Sequence, residues 1–243
     1  MAQGNEAKRD GESVLADPQA RIVDALMALA AERRFEEIAL RDICGRAHVS
    51  LADFRDAFPS KGAVLAGFVR RVDRAALAAE DEETAREAPR ERLFDMLMRR
   101  LDAMAPYREA LREVVGWLKR EPLAALAMNR PLVAAMRFML AAAGVECEGI
   151  AGAIKAQGLA LAWTRVVATW LDDADPGLSK TMAELDRELT RGERAVAAID
   201  RLEGFAAPFK AVALAAFEQR RRAREAFRRR ARESRASRDV ETL

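Results

Sequence analysis

The apolar residues of this chain recur at intervals of three and four positions, and the strict alternation typical of a β-strand is hard to find in it. Alanine, leucine, arginine and glutamate, which are strong helix formers, dominate the 243 residues. Hydrophobic residues make up 51% of the chain and charged residues 33%, so it can build a packed core and stay soluble. The sequence therefore predicts an all-α fold.

Changes in composition divide the chain into four parts. Residues 1–16 are polar and of mixed charge, and we expect them to be disordered. A small helical domain is predicted at 17–80 and a larger helical bundle at 90–204, with an acidic stretch between them. An amphipathic helix followed by an arginine-rich tail is predicted at 205–243.

The small domain is predicted to contain one amphipathic helix, then two short helices, and then a longer helix from about Lys61 to Glu80. Asp17 and Pro18 favour the start of the first helix, as its N-cap and its first helical residue. The short helices are predicted at 40–47 and 51–57, with only a tight connection between them. This is the layout of a DNA-reading helix-turn-helix.

The tight connection carries its own sequence signals. We expect His48 to take a positive φ, which histidine adopts more readily than most residues other than glycine. Ser50 and Asp53 have the spacing of a capping box, in which each side chain bonds to the backbone N–H of the other. The carboxylate of Asp53 would then fold back on the start of its own helix.

Six helices are predicted in the larger bundle, at 90–104, 106–120, 122–128, 131–143, 149–173 and 177–202. Four prolines fall at expected helix starts, namely Pro106, Pro122, Pro131 and Pro176. Gly144 is expected to cap the helix that precedes it. The cluster Asp172, Asp173 and Asp175 lacks the spacing of a calcium loop, and we expect it to form a capping turn between helices.

No pattern of a catalytic, cofactor or metal site is present in the sequence. His48 is the only histidine, and no glycine-rich phosphate loop occurs. Cys44 and Cys147 lie far apart and are expected to be small buried hydrophobes. The longest apolar candidate, 150–171, contains charged residues, and the N-terminus does not resemble a signal peptide. We expect a cytoplasmic binding protein that is not an enzyme and needs no cofactor or metal.

The N-terminal domain of TetR-type repressors is similar to one run of this chain, RIVDALMALAAERRFEEIALRDICGRAHVSLADFRDAFPSKGAVLAGFVRRVD. The likeness covers about residues 18–75. It implies a homodimeric transcriptional regulator that places one recognition helix of each subunit in the major groove of double-stranded operator DNA. It also implies a C-terminal helical domain that holds a small apolar effector.

The resemblance assigns DNA contacts to particular residues. Ser50 would cap the recognition helix and approach a phosphate, while Arg41 and Lys61 would meet the DNA backbone. Arg55 stands where the family usually has a tyrosine that contacts phosphate. The remaining positions of the recognition helix facing DNA would be Leu51, Ala52, Asp53 and Asp56. Asp53 and Asp56 are negatively charged and would be repelled by DNA phosphates, although an acid can accept a hydrogen bond from cytosine.

The larger bundle offers candidates for an effector pocket. They are the Met and Trp residues Met98, Trp117, Met136, Met139, Trp163 and Trp170. Such a set forms a plain core as often as a pocket wall, and both interpretations stay open. Gln157, Thr164 and Arg165 are polar groups that could orient a ligand or lie on an exposed edge. The resemblance places the dimer contact on helices 149–173 and 177–202.

The C-terminal half also resembles a TetR-fold accessory family of ubiquinone biosynthesis, in the words RRLDAMAPYREAL, KREPLAAL and TRVVATWLDDADPGLSKTMAELDREL. That resemblance implies an isoprenoid lipid in the pocket, no DNA binding, and a C-terminal amphipathic helix that touches membrane. The arginines between Arg220 and Arg238 could bind DNA phosphates or anionic lipid. They are equally consistent with a solvated helical extension that binds neither. The alternative function is therefore a lipid-binding accessory protein.

Overall fold

A computed structural model describes residues 17–78 and 86–197 of the chain. Both described stretches consist of helices and turns without a strand, so the predicted all-α fold is confirmed. The helices are α1 (Pro18–Glu32), α2 (Leu40–Ala47), α3 (Leu51–Ala57), α4 (Lys61–Ala78), α5 (Pro89–Met104), α6 (Arg108–Arg120), α7 (Pro122–Ala142), α8 (Gly149–Asp172) and α9 (described over 179–197). Short 3-10 turns lie at Phe35–Glu37 and Ala105–Tyr107.

The predictions for the two ends of the chain lie outside the described residues. These are the disorder predicted at 1–16 and the amphipathic and arginine-rich segment predicted at 205–243. The chain divides into two compact units, Met1–Gly192 and Glu193–Leu243, and helices α1–α8 belong wholly to the first. We refer to α1–α4 as the head and to residues 89–192 as the body.

The head is built around α1, which packs against α2, α3 and α4. Asp17 caps α1 as predicted, because its carboxylate accepts a hydrogen bond from the backbone N of Gln19 at 2.9 Å. The core of the head contains large side chains that are at most 4% exposed, among them Ile22, Leu26, Ile43, Phe54, Phe58 and Phe68. Burial of each such side chain stabilises the fold by about 1.5–3 kcal/mol. This packing holds together helices that are too short to be stable alone.

The body continues the core of the head. Helix α1 packs on α6, and α4 packs on both α5 and α7. Helix α8 lies against α7. The buried apolar residues of head and body belong to one hydrophobic cluster. A change in the packing of the body therefore acts directly on two helices of the head.

The structure corrects one helix boundary. The sequence predicts separate helices at 122–128 and 131–143, whereas α7 is a single helix of 21 residues with Pro131 in its interior. A proline removes one backbone hydrogen bond and clashes with the preceding turn, which is why the sequence places a helix start there. The prediction is wrong because tertiary contacts on both sides of the proline hold the helix together.

Those contacts are of two kinds. Before the proline, the amides of Asn129 and Gln157 exchange two hydrogen bonds of 2.9 and 3.1 Å between α7 and α8. After it, Met136 and Met139 are completely buried. The continuous α7, rather than the run at 150–171, is the one helix of the described residues long and apolar enough to cross a membrane. Length and composition are weak evidence for a span, and α7 packs on α4, α5, α6 and α8.

Two glycines shape the connection from α7 to α8. Gly144 has φ +77°. The next residue, Val145, donates from its backbone N to Leu140 O at 2.9 Å, so the predicted C-cap is confirmed as a Schellman motif. Gly152 lies where a Cβ would be 1.9 Å from the carbonyl carbon of Cys147. A side chain at Gly152 would therefore push this connection away from α8.

The acidic cluster before α9 forms the predicted interhelix turn. Asp173 is 1% exposed, and its Oδ2 accepts hydrogen bonds from Thr181 N at 2.9 Å and Thr181 Oγ1 at 2.8 Å. Asp175 Oδ1 accepts a hydrogen bond from Gly177 N at 3.0 Å. Arg108 reaches across from α6 and donates to carbonyls at the end of α8. The carboxylates Asp173 and Asp175 are therefore used to connect two helices.

Candidate functional site

The connection between α2 and α3 has the conformation that the sequence predicts. His48 has φ 52° and ψ 49°, in the left-handed region, and ends α2. The backbone N of Val49 donates to Cys44 O at 3.1 Å and that of His48 donates to Gly45 O at 3.4 Å, which is the Schellman pattern. Arg21 on α1 donates to His48 O at 3.3 Å. The turn is thus fixed both by its own backbone and by α1.

The capping box at the start of α3 is confirmed. Ser50 Oγ accepts a hydrogen bond from Asp53 N at 3.1 Å, while Asp53 Oδ2 accepts from Ser50 N at 3.0 Å and from Ser50 Oγ at 2.7 Å. These hydrogen bonds hold the pKa of the Asp53 carboxyl below its usual value. The negative charge of Asp53 therefore lies at the N-terminus of its own helix, where the helix dipole favours it.

Most of α3 faces solvent. Among the seven residues of this fully described helix, Phe54 alone is buried, at 2% exposure. Leu51 is 52% exposed. The other exposed residues of the predicted recognition surface are Ala52, Asp53, Arg55 and Asp56. Arg41 on α2 is exposed as well, and neither Arg41 nor Arg55 forms an ion pair within the stretches that the structure describes.

Lys61 has partners inside the head. Its ammonium donates hydrogen bonds to Phe35 O at 2.6 Å and to Ile38 O at 2.9 Å. It also lies 4.4 Å from the centroid of the Phe35 ring. Burial lowers the pKa of Lys61 from its ordinary value. Lys61 therefore fastens the start of α4 to the 3-10 turn, and one of its three N–H groups remains for the predicted contact with the DNA backbone.

Phe35 also receives two contacts from the body. Its backbone N donates to Glu113 Oε1 at 3.0 Å, and its ring lies 4.4 Å from that of Trp117. Both contacts come from α6, so the 3-10 turn of the head is held between α4 and α6. Trp117, predicted as a pocket residue, lies at this contact between head and body.

The other predicted pocket residues belong to the core of the body. Met136, Met139, Trp163 and Trp170 are at most 4% exposed. Met98 is partly buried and packs against the same cluster. The structure therefore brings all six residues into one apolar cluster, in which partly buried Trp117 lies at the edge next to the head.

The polar side chains of α8 have partners of their own. Gln157 pairs with Asn129, as described for α7. Thr164 Oγ1 donates to a carbonyl of its own helix at 2.7 Å. Arg165 donates to Glu188 Oε2 on α9 at 2.9 Å, and Glu188 is 4% exposed. Gln157 and Arg165 therefore connect α8 to neighbouring helices, whereas Thr164 bonds within α8.

One buried ion pair was not predicted from the sequence. Arg100 on α5 is 2% exposed and its Nε donates to Asp73 Oδ1 on α4 at 2.9 Å. The guanidinium carbon of Arg100 lies 4.6 Å from the centroid of the Trp163 ring on α8. Burial raises the pKa of the Asp73 carboxyl, and the neighbouring guanidinium opposes that rise. Among the residues that the structure describes, Arg100 Nη1 has no hydrogen-bond partner, although it is buried.

The sequence did contain a signal for this pair. Arg100 follows Leu93 and Leu97 at the spacing of a buried helical face, and Asp73 stands next to Val72 on the apolar face of α4. A charged residue at a position that the helical period assigns to the core indicates a buried partner. The sequence analysis counted only the apolar residues of these faces.

An exposed apolar stripe runs along α8. Ile150 is 82% exposed, Ile154 50% and Leu161 51%. Gly158 is exposed on the same face, and a Cβ added to it would meet no atom within 4 Å. Met182 on α9 is 38% exposed. These residues give α8 and α9 exposed apolar side chains at positions where a helix facing water usually carries polar ones.

No protein-family model and no curated protein sequence matches the chain. A TetR transcriptional regulator from Nitrosomonas europaea ATCC 19718 has a similar structure, with 23% identity over 72% of this chain and 97% of that one, at a TM-score of 0.57. A TetR transcriptional regulator from Rhodococcus sp. RHA1 is similar at 18% identity over 72% and 94% of the two chains, at a TM-score of 0.52. The chain therefore has the fold of TetR transcriptional regulators, with an N-terminal helix-turn-helix.

Proposed function

We propose that the protein is a homodimeric transcriptional regulator of the TetR type, which binds operator DNA in the cytoplasm under the control of a small effector. The observation that carries the proposal is the presentation of α3. A left-handed turn at His48 and a capping box at Ser50 fix the two ends of the connection, and Phe54 anchors the helix from beneath. The rest of α3 is free to enter a major groove.

The charged residues around α3 are more favourable for DNA binding than a count of acids and bases suggests. Asp53 is engaged in the capping box, and Asp42 is engaged with Ala39 N at 2.9 Å and with Arg33 at 2.9 Å. Arg41 and Arg55 are exposed and form no ion pair within the described stretches of the chain. Asp42 is thus paired with a cation and the charge of Asp53 lies at the N-terminus of its own helix, while Asp56 is exposed. Two cations, Arg41 and Arg55, remain for phosphates.

The stripe on α8 and α9 supports the dimer. Apolar side chains at Ile150, Ile154 and Leu161 are exposed along one face, and Gly158 allows a second helix to approach closely. A two-fold contact through these helices would bury the stripe against its own copy. Ala160 and Ala162, which the sequence analysis also considered for close approach, face the core of their own protomer.

The shared core supports control by an effector. A ligand among the apolar residues of the body would change the packing of α5 and α7, and both helices contact α4 of the head. Such a ligand would favour the conformer whose recognition helices no longer match successive major grooves. The two structural neighbours favour this regulator over the lipid-binding accessory protein.

Selection of random duplex DNA by the purified protein, repeated at increasing salt, tests the proposal. We expect an enriched palindromic site whose affinity falls at least tenfold on Arg55→Glu, because a phosphate contact becomes a repulsion. Arg137→Glu is the matched control, since Arg137 is exposed on α7 and the same charge change there should leave affinity unchanged. Binding without an enriched sequence, insensitive to Arg55→Glu, would refute the regulator.

A further inference from the structure

The guanidinium of Arg100 has a buried nitrogen that is not satisfied by the protein. The side chain is 2% exposed, Nε is bonded to Asp73, and Nη1 has no hydrogen-bond partner within the described residues. A buried donor without an acceptor is unfavourable, and natural structures leave few of them. An acceptor placed at Nη1 would therefore remove an unfavourable contribution to the folded state.

Arg21 and Arg108 also have a buried nitrogen without a hydrogen-bond partner among the described residues, and they differ from Arg100. In both arginines this atom is Nε, while a terminal nitrogen donates to a backbone carbonyl. Both side chains are also partly exposed. In Arg100 the orphan is a terminal nitrogen, which is the part of the fork that binds carboxylates.

We propose that Arg100 is the anchor for the carboxylate of an effector whose remaining part is apolar. A planar guanidinium recognises a carboxylate through paired N–H groups, so an acid fits this donor better than an alcohol or an amide does. Trp163 covers one face of the guanidinium at 4.6 Å, and the surrounding cluster is apolar, which favours a hydrocarbon body. The inference rests on the proposed function and specifies the chemical class of its effector.

Asp73 connects the Arg100 site to the head, because it lies on α4 and accepts a hydrogen bond from Arg100. Asp73 lies on α4, the helix that Lys61 fastens to the 3-10 turn of the head. A second carboxylate at Arg100 shares the guanidinium with Asp73 and weakens the hold of α5 on α4. Acid binding and DNA binding are then linked through one arginine, and by reciprocity each lowers the affinity for the other.

Thermal unfolding of the full chain with hexanoate, decanoate or palmitate, each compared with the alcohol of the same chain length, tests the site. We expect at least one acid to raise the Tm by about 5 °C at saturation and its alcohol to raise it far less. Arg100→Gln should abolish the difference between acid and alcohol, and Arg100→Lys should restore part of it. Arg130→Gln, at an exposed position of α7, is the matched control.

Asp73→Asn separates binding of the acid from the effect of the acid on DNA affinity. The amide oxygen can still accept from Arg100 Nε, so the variant should fold and bind the acid severalfold more tightly, because the competing charge is gone. The acid should then no longer change the affinity for operator DNA. This arm distinguishes the link through Asp73 from the binding of the acid itself.

Equal Tm shifts by acids and alcohols, no shift by any acid, or an acid shift that survives Arg100→Gln would overturn the inference and leave Arg100 as a structural ion pair. If Arg100→Gln does not fold, the comparison of acid with alcohol on the unchanged protein still tests whether a carboxylate is required. The Tm measurement needs no DNA, so failure of the DNA selection would refute the regulator without touching this result.

Discussion

Helices α3 and α8 are held in place by different means. Helix α3 has seven residues, of which only Phe54 is buried, whereas α8 has 24 residues, of which ten are buried. A helix of two turns is not stable by itself, so α3 depends on its end caps and on one aromatic anchor. Helix α8 is stabilised along its length by packing. The surface that would read DNA is therefore specified locally, and the core that would hold an effector is specified by distant residues.

Several charged side chains follow the same division. In the head, Asp17, Asp53 and Lys61 bond to backbone groups at or near helix ends. In the body, Arg100 and Glu188 are buried and bind charged groups of other helices. Substitutions in the head should therefore have separable effects, whereas those in the body should disturb several helices together.

The largest effect is expected from Phe54→Ala, which tests whether α3 has a single anchor. Loss of a fully buried phenylalanine should lower the free energy of unfolding by about 4 kcal/mol. Leu51→Ala on the same helix is the control, because Leu51 is 52% exposed and should change stability by less than about 0.5 kcal/mol. Urea unfolding followed by circular dichroism measures both. Similar losses in the two variants would contradict the single-anchor description.

Arg100→Met tests the buried charge of the body. The variant leaves the Asp73 carboxylate without its counter-charge and should lose about 3 kcal/mol near neutral pH. Burial already raises the pKa of Asp73, and removal of the guanidinium raises it further. The folded state then binds this proton more tightly than the unfolded state, so the variant should regain stability as the pH falls from neutral through that raised pKa.

Urea unfolding of Arg100→Met and of the unchanged protein, near neutral pH and in mild acid, measures this recovery. Arg130→Met, at an exposed arginine, should show little loss at either pH. A loss in Arg100→Met that stays constant over this pH range would show that Asp73 is not the group left unpaired.

The smallest effect is expected at the cap of α3. Ser50→Ala removes the acceptor of the hydrogen bond from Asp53 N and should lower the free energy of unfolding by about 1 kcal/mol. Ser50→Gly should cost only about a few tenths of a kcal/mol, since glycine is tolerated at an N-cap. Chemical unfolding of the two variants side by side checks this order. The reverse order would mean that the capping box contributes little to α3.

The features that the sequence predicted best are those decided within a few residues. The positive φ of His48 and the capping box of Ser50 and Asp53 both join groups at most a few positions apart, and the structure confirms them. The cap at Asp17 and the acidic turn before α9 were predicted for the same reason. Their hydrogen bonds depend on local backbone conformation, which the sequence specifies directly.

Pro131 and Arg100 show where local rules fail. The local rule ends a helix at Pro131, but the bonds of the preceding turn to Gln157 and the burial of the following turns outweigh the lost hydrogen bond. Arg100 and Asp73 are 27 positions apart, and no local pattern pairs them. Lys61 was assigned to DNA phosphates, while the structure also gives it two carbonyls of the head.

By itself, the sequence determined that the chain is helical, where most helices start and stop, and how the turn before α3 is closed. Periodicity and capping act over one or two helical turns, so they can be predicted from residues that are close in the sequence. Only the tertiary structure decided which charges are buried, which partner each has, and that α7 is continuous. Burial depends on residues brought together from distant parts of the chain, and the free energy of a buried charge is set by those neighbours.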